Sequence, residues 1–435
     1  MVRTGLQPLT QIDTFYSRTA TTDHQRPFLK GRVEADVCVV GGGLAGLSTA
    51  LELARRGRRV CVLEAECVAW GASGRNGGFV SPGYSQGYAQ IEGAVGAETA
   101  RRLHRLSIEG ARAVADNIST LGVHDANRID GILAVSRYEA ADEFRARRDW
   151  LEREFDYPLE FRTTEEVHER LPSPRYRQGL YNPHAFHIHP LNYARALARE
   201  IGRLDGRVLE GSPVRALDVA GAIRVAAGEQ GEVLARDIVI ACGGYTGALV
   251  PELRRSYLPI ATYVMLTQAN EALIAGAIRT RAAIADQRRA GDYYRLVDGG
   301  ARILWGGKIT TRTSEPRRLA GLLHETMVDT YPQLKALPVD MAWSGLMAYA
   351  RHLMPQIGRL REGLWYCTAF GGHGLNTTAI GGRVIAEAIA GESDRYRLFQ
   401  AFGLAWNGSF IGRAAVQAIY WSMQARDFLR ERDAA

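Results

Sequence analysis

Three groups of residues in this chain have types and spacings that suit chemistry. Gly41, Gly43 and Gly46 follow the apolar run Val37-Cys38-Val39-Val40 with the spacing G-x-G-x-x-G, and Glu64 ends a second apolar run. One such glycine makes a tight turn, one brings the backbone close to a pyrophosphate, and one lets a helix pack on a strand. The helix that starts there offers unpaired N–H groups and the positive end of its dipole to phosphate. Glu64 stands where ribose hydroxyls need an acceptor. These residues imply a dinucleotide, and NAD suits them as well as a flavin nucleotide does. The second group is Gly71-Ala72-Ser73-Gly74-Arg75-Asn76-Gly77-Gly78. It can lay backbone along a ligand, and the Arg75 guanidinium suits a phosphate or a substrate carboxylate. The third is the turn Gly371-Gly372-His373-Gly374-Leu375-Asn376, in which His373 is the one ionisable side chain.

The elements that must hold these groups follow from periodicity. A helix over 44–56, stopped by Gly57, joins strands at 37–40 and 59–63. Residues 1–34 are polar and irregular and suggest an arm over the surface. Helical spacing recurs over 97–121, 139–155, 165–171, 191–204, 377–390 and 402–429. Strand patterns fall at 130–136, 207–210, 235–241, 258–268, 293–309 and 364–370. The fold class expected is mixed α/β: a Rossmann-like nucleotide domain joined to a second domain on a mostly antiparallel sheet. The division expected is 1–95, 165–250 and 345–435 for the first, with 96–164 and 251–344 for the second.

With these motifs in place, the chain resembles the D-amino-acid-oxidase-type FAD enzymes, the amine oxidoreductase superfamily that includes glycine and sarcosine oxidases. The γ-glutamylputrescine oxidase branch is the nearest likeness. It is carried by the 71–78 loop, by His187-Ile188-His189-Pro190-Leu191-Asn192-Tyr193-Ala194, and by Phe370-Gly371-Gly372-His373-Gly374-Leu375. The resemblance implies FAD contacts from Gly41, Gly43, Leu44, Ala45, Gly46, Glu64 and Ala65. It adds Ser73, Gly74, Arg75, Asn76, Gly77 and Gly78 in the loop, then Val214, Cys242, Gly243 and Gly345. The last group is Gly371, Gly372, His373, Gly374, Leu375 and Asn376. Some relatives bind flavin through a cysteine before the final motif. The stretch Trp343-Ser344-Gly345-Leu346-Met347-Ala348-Tyr349-Ala350 has none, so the resemblance implies non-covalent FAD. Arg351-His352 replaces the family's usual turn before Pro355 and Gly358, a departure that bears on substrate.

The chemistry implied is oxidation of the C–N bond of an amine or amino-acid derivative. Hydride passes to flavin N5, the imine hydrolyses, and O2 becomes hydrogen peroxide. His373, Arg75 and Lys308 are the catalytic candidates. Lys308 is placed there because some relatives use a lysine above the flavin to assist oxygen; an ordinary surface lysine is the plain alternative. A helix starting near Leu375 would aim its positive end at the charge developing on reduced flavin. Tyr257, Tyr263, Tyr294 and Trp305 are candidates to line the substrate pocket. Other readings stay open: a dehydrogenase feeding a quinone or an electron-transfer protein, and a non-catalytic flavin-binding subunit.

Composition narrows the field further. With 435 residues, 23% charged and 46% hydrophobic, the chain is an ordinary globular one. Its net charge of +7 comes from scattered arginines rather than a basic run, which argues against nucleic acid. His187 and His189 lack a third ligand cluster, so they read as structural and no metal is expected. Five cysteines without C-x-x-C spacing suit a reducing cytoplasm. No segment is apolar enough to span a membrane, and no signal peptide is evident. The partners expected are a small amine or amino acid and O2 or another electron acceptor. Oligomeric state is not legible.

Overall fold

The computed structural model describes residues 9–288, 291–310 and 318–433, leaving aside the side chains of 308–310 and 433. Strand β1 (Val37–Val40) and strand β2 (Val60–Leu63) are buried at every position, as strands covered on both faces must be. They pair in parallel, Val37 against Val60 and Val40 against Leu63. Arg207–Leu209 continues the sheet beyond β2. Asp237–Ile240 lies on the other side of β1, followed by Leu364–Thr368 and the antiparallel edge Gln356–Arg361. The strand order therefore turns around at β1, and a ligand crevice belongs at the carboxyl ends there.

Helix α1 (Leu44–Arg55) returns the chain from β1 to β2. Helix α2 (Ala97–Thr120) packs on helix α4 (Gly374–Ala390), which together with helix α3 (Pro190–Arg203) packs on α1. Glycines set the spacing. A Cβ at Gly382 would lie 2.5 Å from the Thr49 N–H nitrogen, and one at Gly110 would lie 2.3 Å from the Asn376 carbonyl oxygen. A nine-stranded, mostly antiparallel sheet forms the second layer. It includes strand β3 (Tyr257–Thr267), strand β4 (Tyr293–Val297), strand β5 (Arg302–Thr310) and strand β6 (Val339–Ala350). Phe79–Val80 and Gly179–His187 also join it. A four-stranded sheet starts with Gly31–Glu34. The expected α/β architecture with an antiparallel second sheet is present.

Several expected elements change. The N-terminal arm contains a helix, Phe15–Thr19, closed by a reciprocal capping box between Thr14 and Ser17, and a strand at Gly31–Glu34 that pairs with Gly231–Ala235. The strand expected over 235–241 is two strands in different sheets. They part where the N–H groups of Arg236 and Asp237 both donate to the Asp36 carbonyl. The stretch 293–309 is a hairpin, since Asp298-Gly299-Gly300 turns the chain with positive φ throughout. The 402–429 helix becomes helix α5 (Ser409–Asp433) after a loop holding Gly403 and Gly408 at φ 63° and 75°.

Candidate active site

Gly41 sits at φ 112°, and a Cβ there would come 2.8 Å from the Ala241 carbonyl oxygen. A Cβ at Gly46 would be 1.9 Å from the Gly41 oxygen. No other residue fits either place. Gly43 caps α1 with extended backbone and no side-chain bond of its own. Ser73 Oγ accepts from Leu44 N at 2.9 Å instead, while the first-turn N–H groups of Ala45 and Gly46 have no intrahelical acceptor. Glu64 accepts from Gly42 N at 2.7 Å and from Glu66 N at 2.9 Å. Burial raises its pKa, and the carboxylates of Glu210 and Glu66 add to that, against the lowering by the two backbone bonds. The loop carrying Val214 is drawn in by Ser212 N, which donates to the Glu64 carbonyl at 2.7 Å. Ala65 is exposed beside it. Cys242 packs at the switch point, its thiol donating to the Val40 carbonyl at 3.2 Å and its pKa pushed up to about 12 by burial. Gly243 follows at φ 54° with open space about it.

The 71–78 loop spans from this cradle to the second sheet. Asn76 Nδ2 donates back to the carbonyls of Ala72 and Ser73, and Asn76 Oδ1 accepts from Gly78 N. Gly74 packs on the Ala69 carbonyl, and Gly345 comes up under Ala72. Arg75 is buried. Its Nε donates to the Gly71 carbonyl at 3.2 Å and its Nη2 to the Tyr245 hydroxyl at 3.0 Å, while the guanidinium lies over the Trp70 ring. Two of its three nitrogens are thus spent, one bracing its own loop and one tying that loop to the Gly243–Tyr245 turn.

Sequence reasoning missed Arg295. It is 5% exposed and donates to the carbonyls of Gly77 and Ile188, the Tyr16 hydroxyl and His187 Nδ1. That bond, with His187 Nε2 against the Arg281 carbonyl at 3.0 Å, fixes the Nε2–H tautomer. His189 Nδ1 accepts from Asn192 N at the start of α3. Burial, with the Arg295 charge second, depresses His187 to about 3 and His189 to about 4. Both are structural, and no cluster of three or more metal-ligating side chains occurs among the described residues. The available signal was a charged residue inside the apolar strand Tyr293–Val297.

The 371–376 turn lies at the start of α4. Gly371 N donates to the Ala348 carbonyl at 3.0 Å and Gly372 N to Ser85 Oγ at 2.8 Å. A Cβ at Gly371 would be 2.3 Å from Ser85 Oγ, and one at Gly372 would be 3.2 Å from the Tyr349 hydroxyl. His373 caps α4 without a side-chain bond, so the N–H groups of Gly374, Leu375 and Asn376 have no intrahelical acceptor. Asn376 Nδ2 ties the turn to the Gly83 carbonyl at 3.0 Å. His373 Nδ1 is buried with no hydrogen-bond partner. Burial, helped by the Arg147 charge, lowers its pKa to about 4.

Two of the four candidate pocket aromatics lie in the core. Tyr294 and Trp305 are stacked at 4.2 Å in the core, with Tyr294 bonded to the hydroxyls of Tyr331 and Tyr176. Tyr257 and Tyr263 are buried too. Side chains alternate along a strand, so Tyr293 faces the opposite way from Tyr294. It pairs with Gly306, whose Cβ would be 2.1 Å from the Tyr293 ring, and its edge reaches Gly77. Tyr293 and Tyr349 are therefore the aromatics on the cradle side, at Gly77 and Gly371–Gly372 respectively. Burial pushes Tyr293 up to about 12 and also raises Tyr349. Lys308 falls at the register shift between Thr262 and Tyr263; its side chain lies outside the described residues.

The strand ends at the switch of strand order, two helix starts with first-turn N–H groups left over and an unpartnered buried imidazole nitrogen fit a long anionic dinucleotide with a polar ring at its far end, as FAD has. A family model described as FAD dependent oxidoreductase, DAO, matches residues 36–388. The chain is 33% identical over 421 residues to the γ-glutamylputrescine oxidoreductase of Escherichia coli strain K12, covering 95% of this chain and 97% of that protein. In fold it is similar to glycine oxidase from Bacillus cereus (TM-score 0.68, 22% identity, 84% and 97% of the two chains). It is similar likewise to L-amino acid deaminase from Proteus vulgaris (TM-score 0.71, 16% identity, 88% and 100%). The chain belongs to the FAD dependent oxidoreductase family, DAO, and is an FAD-dependent oxidoreductase of amines or amino acids.

Proposed function

We propose that the enzyme oxidises the C–N bond of a γ-glutamylputrescine-like amine and passes the electrons to O2. The observation that carries the reading is the roofed turn at α4: an uncapped helix start and a neutral His373, covered by Tyr349 and neighbouring Tyr293. Near-full-length likeness to a γ-glutamylputrescine oxidoreductase supports the substrate class. FAD, when bound, takes up the electron pair released from the amine.

The chain's own residues do the rest. Ala45, Gly46 and Glu64 hold the nucleotide end, and Asn76 keeps the 71–78 loop in shape beside it. The start of α4 places N–H donors and a positive dipole end where negative charge develops, a form of stabilisation already paid for in folding. Tyr293 and Tyr349 exclude water and keep a reacting amine uncharged. His373, neutral above about pH 4, donates or accepts one hydrogen bond without adding charge. A primary amine, O2 and water then give an aldehyde, ammonia and hydrogen peroxide. The thiols of Cys38, Cys61, Cys67 and Cys367 are free and buried, which supports a non-covalent cofactor and a reducing, cytoplasmic setting. Among the described residues no helix is long and apolar enough to cross a membrane.

The test is an anaerobic titration of the FAD-loaded protein with γ-glutamylputrescine, putrescine, sarcosine, glycine and proline, following flavin absorbance at about 450 nm. Bleaching by the γ-glutamylated amine, reversed by air with one peroxide per turnover, is expected. Bleaching without reoxidation by air would assign the acceptor to a quinone or an electron-transfer protein. Bleaching by an amino acid alone would overturn the substrate.

A further inference from the structure

Helix α5 is anchored to the body at both ends. Asn407, just before it, donates to the carbonyls of Tyr257 at 2.6 Å and Arg254 at 3.1 Å. Near its end Glu431 sits 3.6 Å from Arg137 and 3.4 Å from Arg288, Arg430 covers the Tyr138 ring, and Asp427 is buried. Those contacts, with Tyr420 near enough to Tyr349 to raise its pKa, define an inner face.

The outer face is apolar and open. Phe410 is 83% exposed, Ile411 75%, Trp421 63% and Phe428 68%. Ile411, Ala414, Ala418, Trp421, Ala425 and Phe428 recur at alternating steps of three and four residues, all exposed. That is the spacing of a coiled-coil seam.

We propose that this face binds the same face of a second copy, with the two α5 helices antiparallel about a two-fold axis between residues 419 and 420. One axis accounts for every seam position. It sets Ile411 against Phe428, Ala414 against Ala425, and Ala418 against Trp421, and it sets the flanking Phe410 against Leu429. Small residues face small or large ones and large aliphatics face aromatics, as a self-complementary two-fold contact needs. The large exposed side chains offer about 100 Å² apiece. For Phe410, Ile411, Trp421, Phe428 and Leu429 that is roughly 500 Å² per copy, or about 1,000 Å² in total, the size a specific interface has to reach. A lipid surface would gain little from the three alanines, whereas a helix partner uses them as holes for its own large side chains.

The full-length FAD-loaded enzyme tests this by light scattering after size exclusion at micromolar concentration. A mass of twice the chain is expected, with Trp421→Glu shifting it to one chain at unchanged flavin content. In Ala414→Cys/Ala425→Cys, mild oxidation gives a covalent dimer, because these positions lie about 16 Å apart along one helix and meet only across the axis. A monomeric wild type overturns the proposal. So does a dimer that survives Trp421→Glu, or cross-linking by Ala414→Cys alone, which would mean parallel helices. Co-sedimentation of a monomeric wild type with phosphatidylglycerol vesicles would assign the face to lipid instead.

Discussion

The starts of α1 and α4 are two helix ends without a cap from their own N-cap side chain, and they are finished differently. At α1 the surroundings close in. Ser73 caps Leu44 N, Glu64 holds Gly42, and Gly46 touches the Gly41 carbonyl. At α4 the polar groups remain open: His373 Nδ1 has no partner, and a Cβ at Gly374 would meet nothing within 4 Å. The first end is shaped by packing within the protein. The second has room and donors left over, which is what the proposed ring and substrate site requires.

Substitutions at matched glycines break the comparison most sharply. Gly46→Ala forces a Cβ to within 1.9 Å of a backbone oxygen. It should cost about 3–5 kcal/mol and abolish flavin incorporation, read as the flavin-to-protein absorbance ratio. Gly374→Ala should leave the apoprotein within about 0.5 kcal/mol of wild type in urea denaturation. If the proposed ring site opens there, the methyl displaces one contact and FAD affinity should fall by about 10-fold. Equal FAD affinity in Gly374→Ala and wild type would place the cofactor elsewhere.

Glu64→Gln comes next. Gln keeps one acceptor and turns an amide NH2 toward either the Gly42 or the Glu66 N–H. Loss of charge-assisted bonds should weaken FAD by about 10-fold or more. The sign of the pH effect follows from the raised pKa of the apoprotein carboxyl. Ribose hydroxyls donating to the carboxylate favour its charged form, so binding lowers that pKa. FAD affinity therefore drops as pH falls through the raised value, and Glu64→Gln should flatten this dependence in a fluorescence-quenching titration.

The two ends also differ in how legible they were. The α1 cradle could be read because its glycines, apolar strands and acid lie within a short span, and each residue type has a single physical reason to be there. The α4 turn needed family likeness to be recognised, because Gly-Gly-His-Gly alone fits many strand–turn–helix joints. Side-chain direction was the weakest point. Tyr293 and Tyr294 are neighbours in sequence, and nothing in that sequence says which of the two faces Gly306. Arg295 was hidden for the same reason: its partners are carbonyls of Gly77 and Ile188, which no motif marks. The α5 stripe was legible as helix, but its outer face became distinct only once Asp427 and Glu431 fixed the inner one.

The smallest effect expected at these ends belongs to His373 in the apoprotein. Its folded pKa of about 4 lies below the ordinary 6.5. Between those values the unfolded chain holds more protons than the folded one, so stability falls as pH is lowered from 6.5 toward 4 and is unaffected above. His187, His189 and His104, depressed to about 3, 4 and 4, act in the same direction, so His373 supplies only a share. Like His104 it is half-buried as a residue and depressed to the same about 4, so its share is one of four similar ones. His373→Asn should therefore shift the urea midpoint little at pH 7.5 and make its decline between pH 6.5 and 5 slightly shallower. His187→Asn should disturb the midpoint at every pH, because it also strips Arg295 of an acceptor. If His373→Asn instead lowers stability at pH 7.5 as much as His187→Asn does, the α4 turn is packed like the α1 cradle, and the contrast between the two helix ends is gone.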